Sequence, residues 1–196
     1  IAVTNLPSHF QEGLPHVRRY KSARLAVGLH PLSAEQHEQE LPLLLESLSR
    51  TSFVGEVGLD FSREGEATRD IQVNSFRTLA EHLKQTRKVV TLHSRGAETT
   101  VLDILTEFQV RHAIFHWYSG ALGTLDEIAR SGHLFSVNPA MTESQKGKRI
   151  IERIPPDQLL TETDGPHVRC SGHPANPWDV AEVEKYVAAS WNSTPG

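Results

Sequence analysis

Apolar residues along this chain fall into two alternating textures. Short runs rich in Val, Ile, Leu and Phe occur at Ile1 to Asn5, Leu25 to Leu29, Phe53 to Leu59, Val89 to His93, Ala113 to Trp117, Leu134 to Asn138 and Leu159 to Thr163. They are almost continuously apolar, as strands buried on both faces of a parallel sheet are. Longer amphipathic stretches lie between them and predict helices near 34–50, 67–86, 97–108, 121–131, 143–153 and 178–190. In the clearest of these, 67–86, Ile71, Phe76, Leu79, Ala80 and Leu83 fall mostly on one face. Ser33 with Gln36, Thr142 with Gln145, and Pro177 read as helix starts, and Pro42 predicts a kink or split in its helix. The stretch 164–176, rich in Gly, Pro and His, reads as a surface loop after the last strand.

Strands that alternate with helices in this way predict an α/β fold, either an open doubly wound sheet or a barrel. A doubly wound sheet concentrates its chemistry at one switch point, whereas here polar, reactive residues end most of the strands. The reading is therefore a (β/α)8 TIM-type barrel in one domain over 1–196. Against a typical barrel of ~250 residues it lacks about one βα unit at the start and the last helix.

The strand ends carry the candidate chemistry. Glu56 lies inside the run Gly55-Glu56-Val57-Gly58-Leu59-Asp60, where a carboxylate must be paired, protonated or bound to a cation. His93 and His116 close the next two strands, and Asp164 follows the last. Singly these residues read as an ion-pair partner, two hydrogen-bonded histidines and a helix cap. Together, as Glu, His, His and Asp on one rim of a barrel, they form a ligand set for a divalent metal: zinc, manganese or magnesium. His30, closing its own strand before Pro31, is a proton donor, a phosphate contact or a structural histidine. Arg95 is placed for bidentate contact with phosphate, and Trp117 and Ser119 are further candidates for substrate contact.

Composition trims the alternatives. A formal charge of −4 argues against charge-driven coating of duplex DNA, although a metal site offsets its own carboxylates. No apolar run is long enough to span a membrane, and no dinucleotide fingerprint or phosphate-binding loop is present. The single cysteine, Cys170, excludes an internal disulfide and fits a reducing, cytoplasmic setting.

The stretches Gly28 to Pro31, Gly55 to Asp60, Gln72 through Phe76 and Leu83 to His93-Ser94-Arg95, Phe115 to Gly120, Phe135-Ser136 and Leu160 to Pro166 follow one another in an order and spacing that resembles the TatD family of metal-dependent deoxyribonucleases, among the amidohydrolase-like barrels. The resemblance implies a two-metal hydrolase that cleaves DNA, single-stranded and from an end, by metal-activated water. It implies Glu56 as the bridging carboxylate, His93 and His116 as ligands of one metal, and Asp164 as the carboxylate beside the nucleophilic water. The family's opening His-x-His strand has no counterpart, so Ile1 aligns with the second strand. Trp117 and Tyr118 stand where a small residue and a phenylalanine are commoner. The segment His167 to Trp178 is more similar to TatD-like subunits of bacterial anti-phage defence clusters, which implies a protein partner. Two other functions stay open on these residues: hydrolysis of another ester, such as that of aminoacyl-tRNA, and a non-catalytic subunit of a defence complex.

Overall fold

The computed structural model of the protein describes residues 1–84 and 86–191. Contacts divide the chain into two compact units, Ile1–Ile114 and Phe115–Gly196. The first holds α1 (Pro7–Val17), β1 (Val27–Leu29), α2 (His37–Ser47), β2 (Phe53–Gly58), α3 (Arg69–Leu83), β3 (Val89–His93) and α4 (Glu98–Glu107). β4 (Ile114–His116) lies across the boundary in sequence. The second unit continues with α5 (Leu122–Arg130), β5 (Leu134–Val137), α6 (Pro139–Glu143), α7 (Gln145–Arg153), β6 (Leu159–Thr161), β7 (Arg169–Cys170), β8 (His173–Pro174) and α8 (Val180–Ser190).

Within the first unit β1, β2 and β3 are parallel neighbours in chain order, with Val27 opposite Val54, Phe53 opposite Val89 and Gly58 opposite His93. In the second, β5 and β6 pair in parallel through Phe135 and Leu159. The helices bury one stripe each: Val101, Leu102, Ile104 and Leu105 on α4, Leu125 and Ile128 on α5, Val183, Val187 and Ala188 on α8. Burying an aliphatic side chain of this size stabilises the fold by about 1.5–3 kcal/mol.

Several sequence expectations shift in detail. Ile1 to Asn5 is not a strand: only Ala2 bridges Leu25, while the Thr4 amide turns to the Gly55 carbonyl and the Thr4 carbonyl accepts from the Glu56 amide. A backbone that changes partner after two residues cannot continue a ladder. On α3 the inward position expected of Ile71 belongs to Gln72, and Ile71 is 44% exposed. Gln72 is in phase with Phe76, Leu79, Ala80 and Leu83, and its amide is fully used. It accepts from the Asp60 amide at 2.8 Å and donates to the Gly65 carbonyl and the Thr68 hydroxyl. Position 85, inside the expected 67–86 helix, lies outside the described residues.

Helix starts also differ. Ser144, not Thr142, caps α7 by accepting from the Gly147 amide, and Thr142 instead donates to the Pro139 carbonyl. Ser33 lies inside a 3-10 turn that begins at Pro31, where the His30 ring accepts from the Leu32 amide. Asn176 and Asp179 form a reciprocal capping box at the Pro177 turn that leads into α8. α2 runs through Pro42 as one helix. The stretch 164–176 holds the antiparallel β7–β8 hairpin, anchored by buried Val168, Cys170 and Ala175. α1 and α6 were not expected, since Pro7, Pro15 and Pro139 disguise them.

Gly147 shows how tightly α6 and α7 join. Its φ is ordinary, but a Cβ there would lie 2.2 Å from the Met141 carbonyl oxygen and 2.6 Å from the Met141 Cα, all backbone. Gly147→Ala is therefore expected to destabilise the protein by about 1–3 kcal/mol in urea unfolding, whereas Arg149→Ala, at an exposed position, should stay within about 0.5 kcal/mol. Equal stability of the two variants would mean that this junction is looser than its geometry.

Candidate metal centre

In the first unit the candidate residues gather at the carboxyl ends of neighbouring parallel strands. Glu56, in β2, is buried at 8% exposure. Its Oε1 accepts from His93 Nδ1 at 2.6 Å and lies 3.5 Å from His30 Nε2. The rings of His30 and His93 meet edge to face with centroids 4.9 Å apart. One donor atom each from His30, Glu56 and His93 lies within 4.8 Å of the other two, a spacing that one divalent ion can bridge. Two imidazoles and a carboxylate suit such an ion chemically.

The other face of His93 meets a residue not singled out from the sequence. His93 Nε2 donates to Asp60 Oδ2 at 2.7 Å, and Asp60 is fully buried. Asp60 Oδ1 accepts from the Ser62 amide at 2.8 Å. A carboxylate behind a ligating imidazole fixes its tautomer and its direction. Here Asp60 accepts from Nε2, so Nδ1 is the atom that faces Glu56, and loss of its proton would free it to ligate an ion. The local sequence explains the fit. Gly58 has φ of +131° and sits against the His93 carbonyl, 2.1 Å from where a Cβ would be, so only glycine lets β2 and β3 approach this closely. His30 has a support of its own: buried His37, the first residue of α2, places Nε2 3.1 Å from the His30 carbonyl. Burial holds His37 below the ordinary imidazole range, although its bond to His30 opposes this.

In the second unit His116 Nδ1 is 3.2 Å from Glu162 Oε1 and 4.0 Å from Asp164 Oδ1. Glu162 is the other residue that sequence reasoning passed over. Its Oε1 also accepts from the Trp117 amide at 3.1 Å, and its Oε2 accepts from the Ser136 hydroxyl at 2.6 Å. The β5–β6 ladder sets its place, since the Glu162 amide donates to the Val137 carbonyl. Trp117 and Asp164 both adopt left-handed backbone, with φ of +39° and +49°.

The expected substrate contacts divide. Trp117 is 38% exposed, free to offer its ring face. Tyr118 is buried at 1% exposure, packs edge to face on Phe135 and donates to the Ala121 carbonyl, so it supports the loop. Ser119 is half-buried. Arg95 is exposed and pairs with Glu64 at 3.3 Å, outside the His30–Glu56–His93 group.

Burial alone would push the Asp60 carboxyl up, but hydrogen bonds from His93 and Ser62 outweigh it and hold the group at about 2. Burial likewise opposes charge on His93, and its bonds to Asp60 and Glu56 raise it above the ordinary imidazole range. In chelator-treated protein the Asp60 contribution should be full above the unfolded carboxylate range near pH 4 and lost as pH falls through about 2. The His93 contribution has the opposite sign: full below about pH 6.5 and lost as pH rises through its elevated value. Asp60→Asn should remove about 2 kcal/mol at pH 5 and flatten both arms of the stability–pH curve in denaturant titrations. A variant curve parallel to the parent's would mean that the pair does not form.

Comparison with known proteins agrees with this chemistry. The TatD related DNase family model matches residues 1–196. The human protein named deoxyribonuclease TATDN3 is 24% identical over 96% of the chain and 74% of its own length. The protein from Pectobacterium atrosepticum named 3'-5' ssDNA/RNA exonuclease TatD is 28% identical over 72% of the chain, which spans 57% of that relative. The crystal structure of the TatD homologue YJJV from Escherichia coli superposes with a TM-score of 0.78 at 24% identity, covering 96% of this chain and 76% of that one. That likeness shows the fold, α/β of the TIM-barrel type expected from the sequence. With the family model matched from end to end, the chain belongs to the TatD family of DNase-related, metal-dependent hydrolases.

Proposed function

We propose that the protein hydrolyses phosphodiester bonds of DNA, single-stranded and from an end, with Glu56, His93, His116 and Asp164 as metal ligands and with Glu56 and Asp164 also catalytic. The observation that carries this reading is the His30–Glu56–His93 group at the ends of adjacent strands, with Asp60 setting the tautomer of His93. The relative named as a ssDNA/RNA exonuclease supports the substrate class. Two imidazoles beside a carboxylate favour manganese or zinc over magnesium.

When bound there, a divalent ion supplies Lewis acidity and a water that loses its proton near neutral pH. The remaining work falls to side chains. His30 Nε2 and His93 Nδ1 both face Glu56 Oε1, so one carboxylate oxygen organises both imidazoles. Glu162 Oε1 accepts a hydrogen bond from His116 Nδ1, which would leave Nε2 as that ring's ligand atom, in the way Asp60 serves His93. Asp164 carries the role of accepting a proton from the attacking water at a carboxylate oxygen. Trp117 offers its exposed face for stacking of a base, Ser119 a hydroxyl to the sugar-phosphate, and Arg95 its guanidinium to a phosphate.

Asp164→Asn keeps the size of the side chain and removes its charge. It is expected to lower manganese-dependent release of nucleotides from labelled single-stranded DNA by about a hundredfold or more, with little change in melting temperature. His30→Ala should weaken manganese binding in calorimetric titration. Unchanged cleavage in Asp164→Asn would remove that residue from the chemistry. If the parent protein cleaves no phosphodiester with manganese, zinc or magnesium, the nuclease reading fails.

A further inference from the structure

The opposite, amino-terminal ends of the same strands carry a second charged surface that the proposed chemistry does not use. Four segments of the first unit lie there: 14–25 before β1, 48–53 before β2, 86–90 before and into β3, and 108–113 before β4. Their sequences contain no Asp or Glu, in a protein with a formal charge of −4. They contribute Arg18, Lys21, Arg24, Arg50, Arg87 and Arg111, all exposed. Among the described residues none of these six cations makes an ion pair with a carboxylate.

The surface is continuous. A cleft of about 420 Å³ is lined by the first two segments, and one of about 830 Å³ by the other two. Lys88 ties them together, donating to the carbonyls of Leu48 and Thr51 at 2.5 and 2.6 Å, while the Val89 amide donates to the Ser52 carbonyl. Neighbouring strands are ~4.8 Å apart, and their order β1-β2-β3-β4 sets the four segments side by side across the strand ends. Tyr20, 65% exposed, stands in the first cleft among Arg18, Lys21 and Arg24.

Repulsion between exposed cations on segments that hold no acid of their own is a standing cost unless something relieves it. A small anion would be met by convergent, buried donors. Exposed cations spread over four segments, with an aromatic ring between them, match instead a flexible polyanion whose charges repeat and whose bases can stack. We propose that this end of the first unit is a docking track for single-stranded nucleic acid, separate from the strand ends that carry Glu56 and His93. Arg50 lies three residues before β2 and Glu56 within it, six residues or at most ~20 Å of extended chain apart, so the track engages a stretch of nucleic acid other than the one being cut. The inference deepens the nuclease reading and rests on it for its ligand class.

The test is fluorescence anisotropy of a labelled oligothymidylate, with EDTA present so that no cleavage occurs, across a range of salt concentration. In Arg24→Glu/Arg50→Glu/Arg87→Glu, affinity should fall at least tenfold. The slope of log affinity against log salt should become shallower by about 2, since each lost phosphate contact removes about 0.7 on single strands. The neutral triple Arg24→Gln/Arg50→Gln/Arg87→Gln should show the same slope change, and it keeps the test open should the reversal variant fail to fold. Hydrolysis of bis-para-nitrophenyl phosphate with manganese should be unchanged in the neutral triple, because that substrate is too short to reach the track. Parent-like affinity and slope in a folded triple variant would overturn the track, whatever the hydrolysis result. Binding of the parent to phosphatidylserine vesicles but not to the oligonucleotide would overturn it as well. Loss of hydrolysis in the parent itself would instead strike the nuclease reading, with oligonucleotide affinity still reporting on the track.

Discussion

A carboxylate inside a strand, between glycines and at 8% exposure, cannot stand without compensation, and much of the first unit is arranged around that demand at Glu56. His93 answers it on one side, and the ring of His93 is steered by Asp60. Asp60 is held in turn by the amide of Ser62, and its own amide is held by Gln72 from α3. His30 is carried into place by the strand end and braced by His37. Two carboxylates thus hold one imidazole from its two nitrogens, and a divalent cation entering beside Glu56 would displace the proton on Nδ1 while Asp60 keeps the ring in place. Gly58 makes the sharing feasible, because a side chain there would drive β2 and β3 apart.

The second unit repeats the same logic with different parts. Glu162 does for His116 what Asp60 does for His93, and it holds the Trp117 amide and the Ser136 hydroxyl with its remaining capacity. Neither Asp60 nor Glu162 attracted notice in the sequence. Asp60 ends a glycine-bracketed run in which Glu56 was the conspicuous acid, and Glu162 sits one strand alternation before Asp164. Residues that orient a ligand rather than form one carry no spacing signal of their own. Their partner lies on another strand, here 33 residues away for Asp60 and 46 for Glu162.

The βα alternation, by contrast, was legible almost throughout, because continuous apolar runs and helical stripes are local properties of the chain. It failed where a local cue was ambiguous. Ile71 looked like core, yet helical phase put Gln72 inward in its place and hydrogen bonds made its burial acceptable. Pro7 and Pro139 open two helices that the sequence reading did not predict, at the first turn, where proline has no amide to lose. Net charge was the least informative number of all. A formal −4 over the whole chain hides a contrast within the first unit, buried carboxylates at one set of strand ends and exposed arginines at the other.

Trp117 and Asp164 illustrate a different kind of economy. Each is a side-chain-bearing residue in left-handed backbone, a conformation that costs about 1–2 kcal/mol outside glycine. Both flank Glu162, and both carry a chemical group that glycine would forfeit. At these two positions the substitution that relaxes the chain, to glycine, is also the one that strips the loop of its indole or its carboxylate. Gln109, His112 and Ser171 share this left-handed backbone, so what sets Trp117 and Asp164 apart is the same strain beside Glu162 and His116, where stability and the proposed chemistry pull against each other.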